Sequence, residues 1–261
     1  MLLQVSFSIL FLFFLSVRPG NTQETASDAQ AVAVLTQTLA ASGIGNSRET
    51  VPQFTAEGTM VYFLGGGQIE VLSTIRAKGR QWRVDANLPR GVRTIALGRD
   101  AATRKDEEGK LTEIPLHNRI SMGGTTFPYL AIKDALNDAS VSVSYVGVVE
   151  ADGRNLHQIR AKRSYTTEED SLGILSRLSE TDFYIDAQTN LVVKVVDLTH
   201  PIETLTEDYI RETVFEDYTS RSGVSVPTVA RQKIGESTIW EFRLSNITFN
   251  SDLNDADFTI Q

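Results

Sequence analysis

The chain has 261 residues, with 25 basic against 33 acidic side chains for a net charge of −8, and it contains no cysteine. No basic block interrupts that acidic balance, so nucleic acid and electrostatic docking on an anionic membrane, which need clustered Lys and Arg, are excluded. Without thiols the chain has neither a disulfide nor a cysteine to carry a lipid anchor, and stability must come from a buried core.

In chain order, Leu2 to Val17 hold an almost unbroken apolar run centred on I-L-F-L-F-F-L-S-V, followed by Arg18-Pro19-Gly20 and a polar, small-residue stretch. This reads as an export signal over residues 1–22, with cleavage between 20 and 29. The run is shorter than the ~20 apolar residues of a membrane span. Its flank before the run lacks Lys and Arg, which departs from the usual pattern, and a retained anchor or a buried helix are the alternatives. Residues 23–261 show no internal repeat, no low-complexity linker and no second composition, so one β-rich domain is expected there.

Ala29 to Ala41 is alanine-rich, free of Gly and Pro, and preceded by Asp28 as an N-cap, which predicts a helix. Val32, Leu35 and Leu39 form its apolar stripe. From Gln53 the period changes to two: Phe54, Ala56, Met60 and Tyr62 alternate with polar residues before Gly65-Gly66-Gly67 turns the chain into a second strand. A further hairpin through Lys78-Gly79 places Trp82, Val84 and Ala86 on one face. Short strands follow, turning at Asp106 to Gly109 and leaving the pattern near Pro115. Phe127 to Asp138 returns to helical spacing, with Leu130, Ala131 and Leu136 as its expected buried set. Next, Val141, Val143, Tyr145, Gly147 and Val149 alternate with serines, turning at Asp152-Gly153 into a strand from Asn155 to Arg163. Thr166 to Ser176 reads as a loop or short excursion. Strands then resume at Phe183 to Asp186 and at Leu191 to Leu198, the latter apolar on both faces.

From Asp217 the sequence predicts a strand ending in Tyr218, a glycine turn into a strand ended by Pro227, a hairpin, and a long alternating strand closing on Phe258. The order of Y-I-D-A-Q-T-N-L-V-V-K-V-V (184–196), D-Y (217–218), G-V-S-V-P (223–227) and S-N-I-T-F-N (245–250) resembles the outer-membrane lipoprotein carrier (LolA/LolB-like) superfamily and its exported bacterial relatives. The resemblance implies a mainly β (α+β) fold: an open, strongly curved antiparallel half-barrel with two or so helices plugging its concave face. It further implies a periplasmic, non-enzymatic protein that binds a lipid, acyl chain or hydrophobic peptide. The handing on of lipoproteins does not carry over, because no carrier signature and no anchoring cysteine are present.

The physical reading gives the same ligand class. A dry face carrying Met60, Tyr62, Trp82, Val84, Val143, Tyr145, Trp240, Phe242 and Leu244 holds more large apolar surface than two helices need cover, and these residues are the expected ligand-binding set. The helix with Val32, Leu35 and Leu39 is the expected lid. A structural or protein-interaction module of the cell envelope is the alternative, and a monomer with no cofactor is expected in either case. His117, His157 and His200 lack metal-ligand spacing, G-x-S-x-G is absent, and Gly65-Gly66-Gly67 lacks the Lys-Ser/Thr of a phosphate loop. Asp252, Asn254, Asp255 and Asp257 lack the glycine and distal glutamate of a calcium loop, which leaves a solvated turn. No catalytic residue and no metal site is expected.

Overall fold

The computed structural model describes residues 27–45, 53–120, 122, 127–201, 204 and 207–260. The expected export signal lies outside the described residues, among which no helix is long and apolar enough to cross a membrane. Helix α1 (Ala29–Ala41) starts where Asp28 accepts a hydrogen bond from the Gln30 amide. Strands β1 (Gln53–Leu64), β2 (Gly67–Lys78), β3 (Gln81–Leu88), β4 (Gly91–Leu97), β5 (Ala102–Lys105) and β6 (Leu111–Ile114) then form a meander. Helices α2 (Leu116–Arg119) and α3 (Pro128–Asn137) lead to β7 (Val141–Ala151) and β8 (Arg154–Arg163). After helix α4 (Ile174–Leu178) come β9 (Thr181–Asp186), β10 (Val192–Thr199), β11 (Tyr209–Arg221), β12 (Val224–Ile234) and β13 (Ser237–Phe249).

All these strands form one 13-stranded antiparallel sheet in the order β6-β5-β4-β3-β2-β1-β13-β12-β11-β10-β9-β8-β7. Two meanders are thus joined by the pairing of β1 with β13. The outer strands β6 and β7 do not pair with each other, so the sheet is open, as expected.

Register decides which side chains share a face, because directly opposed residues in a ladder point the same way. One row runs Ile69, Tyr62, Trp240, Gln232, Thr213, Val195, Phe183, Ile159, Tyr145 from β2 to β7. A parallel row joins Leu97, Trp82, Ala77, Phe54 and Phe249. Phe127, just before α3, meets Phe54 edge-to-face at 4.9 Å, which places α3 on this concave face. Phe127 also meets Tyr129 at 5.3 Å. Helix α1 packs beside α3 and β7, burying Ala31, Val34, Leu35, Thr38 and Leu39. Its C-terminus sits on the β11–β12 hairpin: the Ser225 amide donates to Ser42 O, and a Cβ at Gly43 would stand 2.1 Å from Gly223 O.

The opposite, convex face carries charge. Asp85 accepts from Arg76, Arg83 and Thr94. Burial works against its charge, but the Arg83 and Thr94 hydrogen bonds and the neighbouring guanidinium charges hold the carboxyl below its ordinary range. The C-terminal segment crosses this side as a strap, with Leu253 and Phe258 buried, Lys78 Nζ donating to Leu253 O at 2.7 Å, and a capping box between Asn254 and Asp257 opening the short 3-10 helix Asp255–Phe258.

Several expectations change. The last strand ends at Phe249, not Phe258, and the acidic turn after it is pinned by its two buried apolar residues. Strand β11 runs past Tyr218 to Arg221 in unbroken register with β12, with Asp217 at a positive φ of 53° and its carbonyl accepting from Thr228 Oγ1. Pro227 lies inside β12 rather than at its end; pairing with β13 starts only at Val229, so no rung on that side is lost. Helix α3 buries Tyr129 and Ile132 more deeply than Ala131 and Leu136, which are only partly covered. The segment read as a loop or short excursion runs at its end into α4, where the amides of Leu175 and Ser176 donate to the Asp170 carboxylate. In β7 a bulge between Tyr145 and Gly147 breaks the alternation and leaves Val146 and Val148 about half exposed.

Candidate functional site

The concave face is filled unevenly. Under α1 and α3 the apolar rows pack to a residual void of about 20 Å³ among Phe54, Phe127, Phe242 and Leu244. A second space of about 100 Å³ lies between α3 and the far arm, touching Leu130, Phe183, Val195 and Asp197. The largest of the three, about 280 Å³, lies at the end of the face beyond α3, next to the α2 segment, which contributes Asn118, and Met122 just after it.

Met60, Tyr62, Trp82, Val84 and Trp240 line this larger cavity, which gathers five of the residues picked from the strand pattern. Phe242 and Leu244 border the small void instead. Val143 and Tyr145 line none of the three spaces: Val143 is buried opposite Ala161, and the Tyr145 hydroxyl lies 2.9 Å from His157 Nδ1. Val32, Leu35 and Leu39 pack into or against the core beneath α1 and border none of these spaces either. The sequence reading did not single out Ile95, Ile114, Met122, Arg104, Arg211 or Gln232, all of which line the cavity. The alternation of Val92, Thr94 and Ala96 with Arg93, Ile95 and Leu97 was a visible signal for Ile95.

Most polar groups on the wall are already engaged. Trp240 Nε1 donates to Gln232 Oε1 at 3.0 Å, and Gln232 Nε2 donates to Thr213 Oγ1 at 3.4 Å. Arg211 grips Asp197 through two bonds, Nε to Oδ1 at 2.7 Å and Nη2 to Oδ2 at 2.5 Å, with only 11% and 7% of the two side chains exposed. Burial disfavours the Arg211 charge, but the Asp197 carboxylate more than offsets it, and the guanidinium titrates above its ordinary value. The pair stands between the two larger spaces, Arg211 on one lining and Asp197 on the other. At the rim, the Arg93 guanidinium lies 5.6 Å from the centre of the Tyr62 ring.

Across the cavity, α2 is tied to the end of β10. Asn118 Nδ2 donates to the His200 carbonyl at 2.9 Å, and the His117 and His200 rings stack at 4.9 Å with a tilt of 32°. Among the described residues neither ring nitrogen of His200 has a hydrogen-bond partner, and the residue is 6% exposed. Burial, with the neighbouring His117 and Arg177 adding to it against Asp208, holds the His200 pKa below the ordinary histidine value. Among the described residues, no cluster of three or more His, Cys, Asp or Glu side chains could hold a metal ion. Met60, Trp82, Val84, Ile95 and Trp240 give the wall an apolar stretch suited to enclosing an apolar group.

No protein-family model matches this sequence, and no curated protein matches it. Solved structures do match in three dimensions. A domain from Vibrio parahaemolyticus described as an outer-membrane lipoprotein-sorting protein aligns at a TM-score of 0.58 and 11% identity over 88% of this chain and 96% of that one. A DUF1329 family protein from Desulfovibrio piger aligns at 0.56 and 13% identity, covering 90% and 98%. A LolA superfamily protein from Nitrosomonas europaea aligns at 0.55 and 10% identity, covering 86% and 96%. At such identities the likeness is one of fold, and the open sheet with helices on its concave face is the fold of the LolA-like and lipoprotein-sorting domains.

Proposed function

We propose that the chain is an exported, non-enzymatic protein that holds a lipid, acyl chain or hydrophobic peptide in the cavity beside α2. The observation that carries this reading is the unfilled space of about 280 Å³ walled by Met60, Trp82, Val84, Ile95 and Trp240. Apolar pockets with few polar anchors are the usual sites for such ligands, and nothing in the wall pairs a nucleophile with a base. Among the described residues, α2 and Met122, rather than α1, are the parts of the helical layer that border this space. The shared fold with lipoprotein-sorting domains supports the same ligand class. Periplasmic location, cleavage of the apolar N-terminal run and a monomeric single domain complete the proposal.

Native mass spectrometry of the purified protein, with solvent extraction and a titration by an environment-sensitive hydrophobic dye, tests it. Co-purifying lipid or saturable dye binding is expected. A protein that carries nothing and binds no dye sinks the reading. In the second reading, the chain is an interaction module of the envelope. It is favoured by the edge strand β7, where Val146 and Val148 are exposed just past the stretch that Ser27 and Asp28 engage at Val143 and Tyr145, with no further strand beside it among the described residues.

A further inference from the structure

The polar side chains around the larger cavity fall into two groups. Arg211 is matched by Asp197, and Gln232 is shared between Trp240 and Thr213. Asn118 is committed through its amide nitrogen to the His200 carbonyl. Arg104 stands apart. It sits on β5 in a row with Thr112 on one side and Ile95, then Val84, on the other, so the pleat directs it to the concave face. Its side chain is exposed at the rim, and no ion pair or side-chain hydrogen bond among the described residues engages it. The carboxylate of the lining, Glu113, falls between Thr112 and Ile114 and belongs by alternation to the opposite face.

We infer that the ligand of this cavity is an amphiphile with an anionic head group, a carboxylate or a phosphate, whose chain lies against Met60, Trp82 and Trp240 and whose head is held at the mouth by Arg104 with Thr112. The inference rests on the reading of this cavity as a ligand site and adds the chemistry of the head. A guanidinium presents a fixed fork of donors that matches either oxyanion, and a charge-assisted bond at the mouth of an apolar cavity is stronger than one in open water. The chain as a whole carries a net charge of −8, so attraction of an anion must be local, and Arg104 supplies it. A partly exposed head also keeps its charge partly solvated, which a fully buried head could not.

The test uses the purified protein with bound hydrophobic dye, displaced in parallel by dodecanoate, dodecyl phosphate and dodecanol, which share one chain and differ in the head. Both anions should displace the dye at roughly tenfold lower concentration than the alcohol. Arg104→Gln should raise the anion values to that of the alcohol and leave the alcohol unchanged, while Arg104→Lys should restore part of the preference. The urea midpoint of Arg104→Gln should match wild type, since the side chain has no partner to lose among the described residues. Whichever anion is preferred separates a fatty-acid source from a lipid phosphate. Equal displacement by all three heads, or an anion preference that survives Arg104→Gln, overturns the inference while leaving the hydrophobic site intact. Failure of every twelve-carbon probe, dodecanol included, overturns the ligand site itself.

Discussion

Two ends of one concave face, built from the same strands, have different fates. Under α1 and α3, Phe54, Phe127, Phe242 and Leu244 close to a void of about 20 Å³; further along the same strands, Met60, Tyr62 and Trp240 border about 280 Å³ of open space. The strand chemistry does not differ in kind, since large apolar side chains recur every second residue at both ends. The difference lies in what covers them: a ten-residue helix with a buried face at one end, a four-residue helix and a methionine at the other. An apolar wall becomes core when its cover supplies enough side-chain volume, and a cavity when it does not.

The largest effect is expected at the boundary between the two ends. Asp197→Ala removes the carboxylate that grips the buried Arg211 guanidinium and should cost about 3–5 kcal/mol of unfolding free energy. Replacing both partners together, Asp197→Leu with Arg211→Met, should recover most of that loss. Urea unfolding of the two variants checks this, and equal losses would mean that the pair acts through packing alone. At the filled end, Phe54→Ala removes a ring packed on Phe127 and should cost about 3–5 kcal/mol, read by the same denaturation. At the open end, Ile95→Trp adds bulk into space, so stability should stay within about 1.5 kcal/mol of wild type while dye binding is lost. Unfolding by Ile95→Trp would show that the two ends are equally packed.

The smallest effect is a pH dependence at the tie between α2 and β10. His200 has a folded pKa below its unfolded value, so the unfolded chain binds a proton more readily than the folded one. Its stabilising share is present above the unfolded value of about 6.5 and is lost as pH falls below it, by at most about 1.4 kcal/mol per unit. Stability measured between neutral and mildly acidic pH should therefore decline more steeply in the wild type than in His200→Phe. Matching curves would sink this assignment.

Much of the strand pattern was legible because alternation is a local signal. The bounds of α1, the shared face of Trp82, Val84 and Ala86, and that of Trp240, Phe242 and Leu244 follow from spacing alone. Bulges were not legible. The one at Glu57/Gly58 brings Ile247 and Phe249 onto the face begun by Leu244, and it requires Gly58, where a Cβ would stand 2.2 Å from Arg243 O. Helices α2 and α4 are too short to show a period. For the candidate site, the strand residues could be collected from sequence, but neither Arg104 nor the Arg211–Asp197 pair could, because their significance depends on register across several strands.

The seam between β1 and β13 has a consequence for assembly. Pairs such as Phe54 with Phe249 and Tyr62 with Trp240 link positions far apart in the chain, so the central seam closes a longer loop than any other strand pairing in the sheet. Each meander can zip from its own hairpins, yet neither arm acquires its inner neighbour until β13 has emerged. The closing step carries high contact order and is expected to limit the folding rate. Until then two apolar faces and two inner strand edges stand uncovered, which is the interval in which this chain is most prone to associate wrongly.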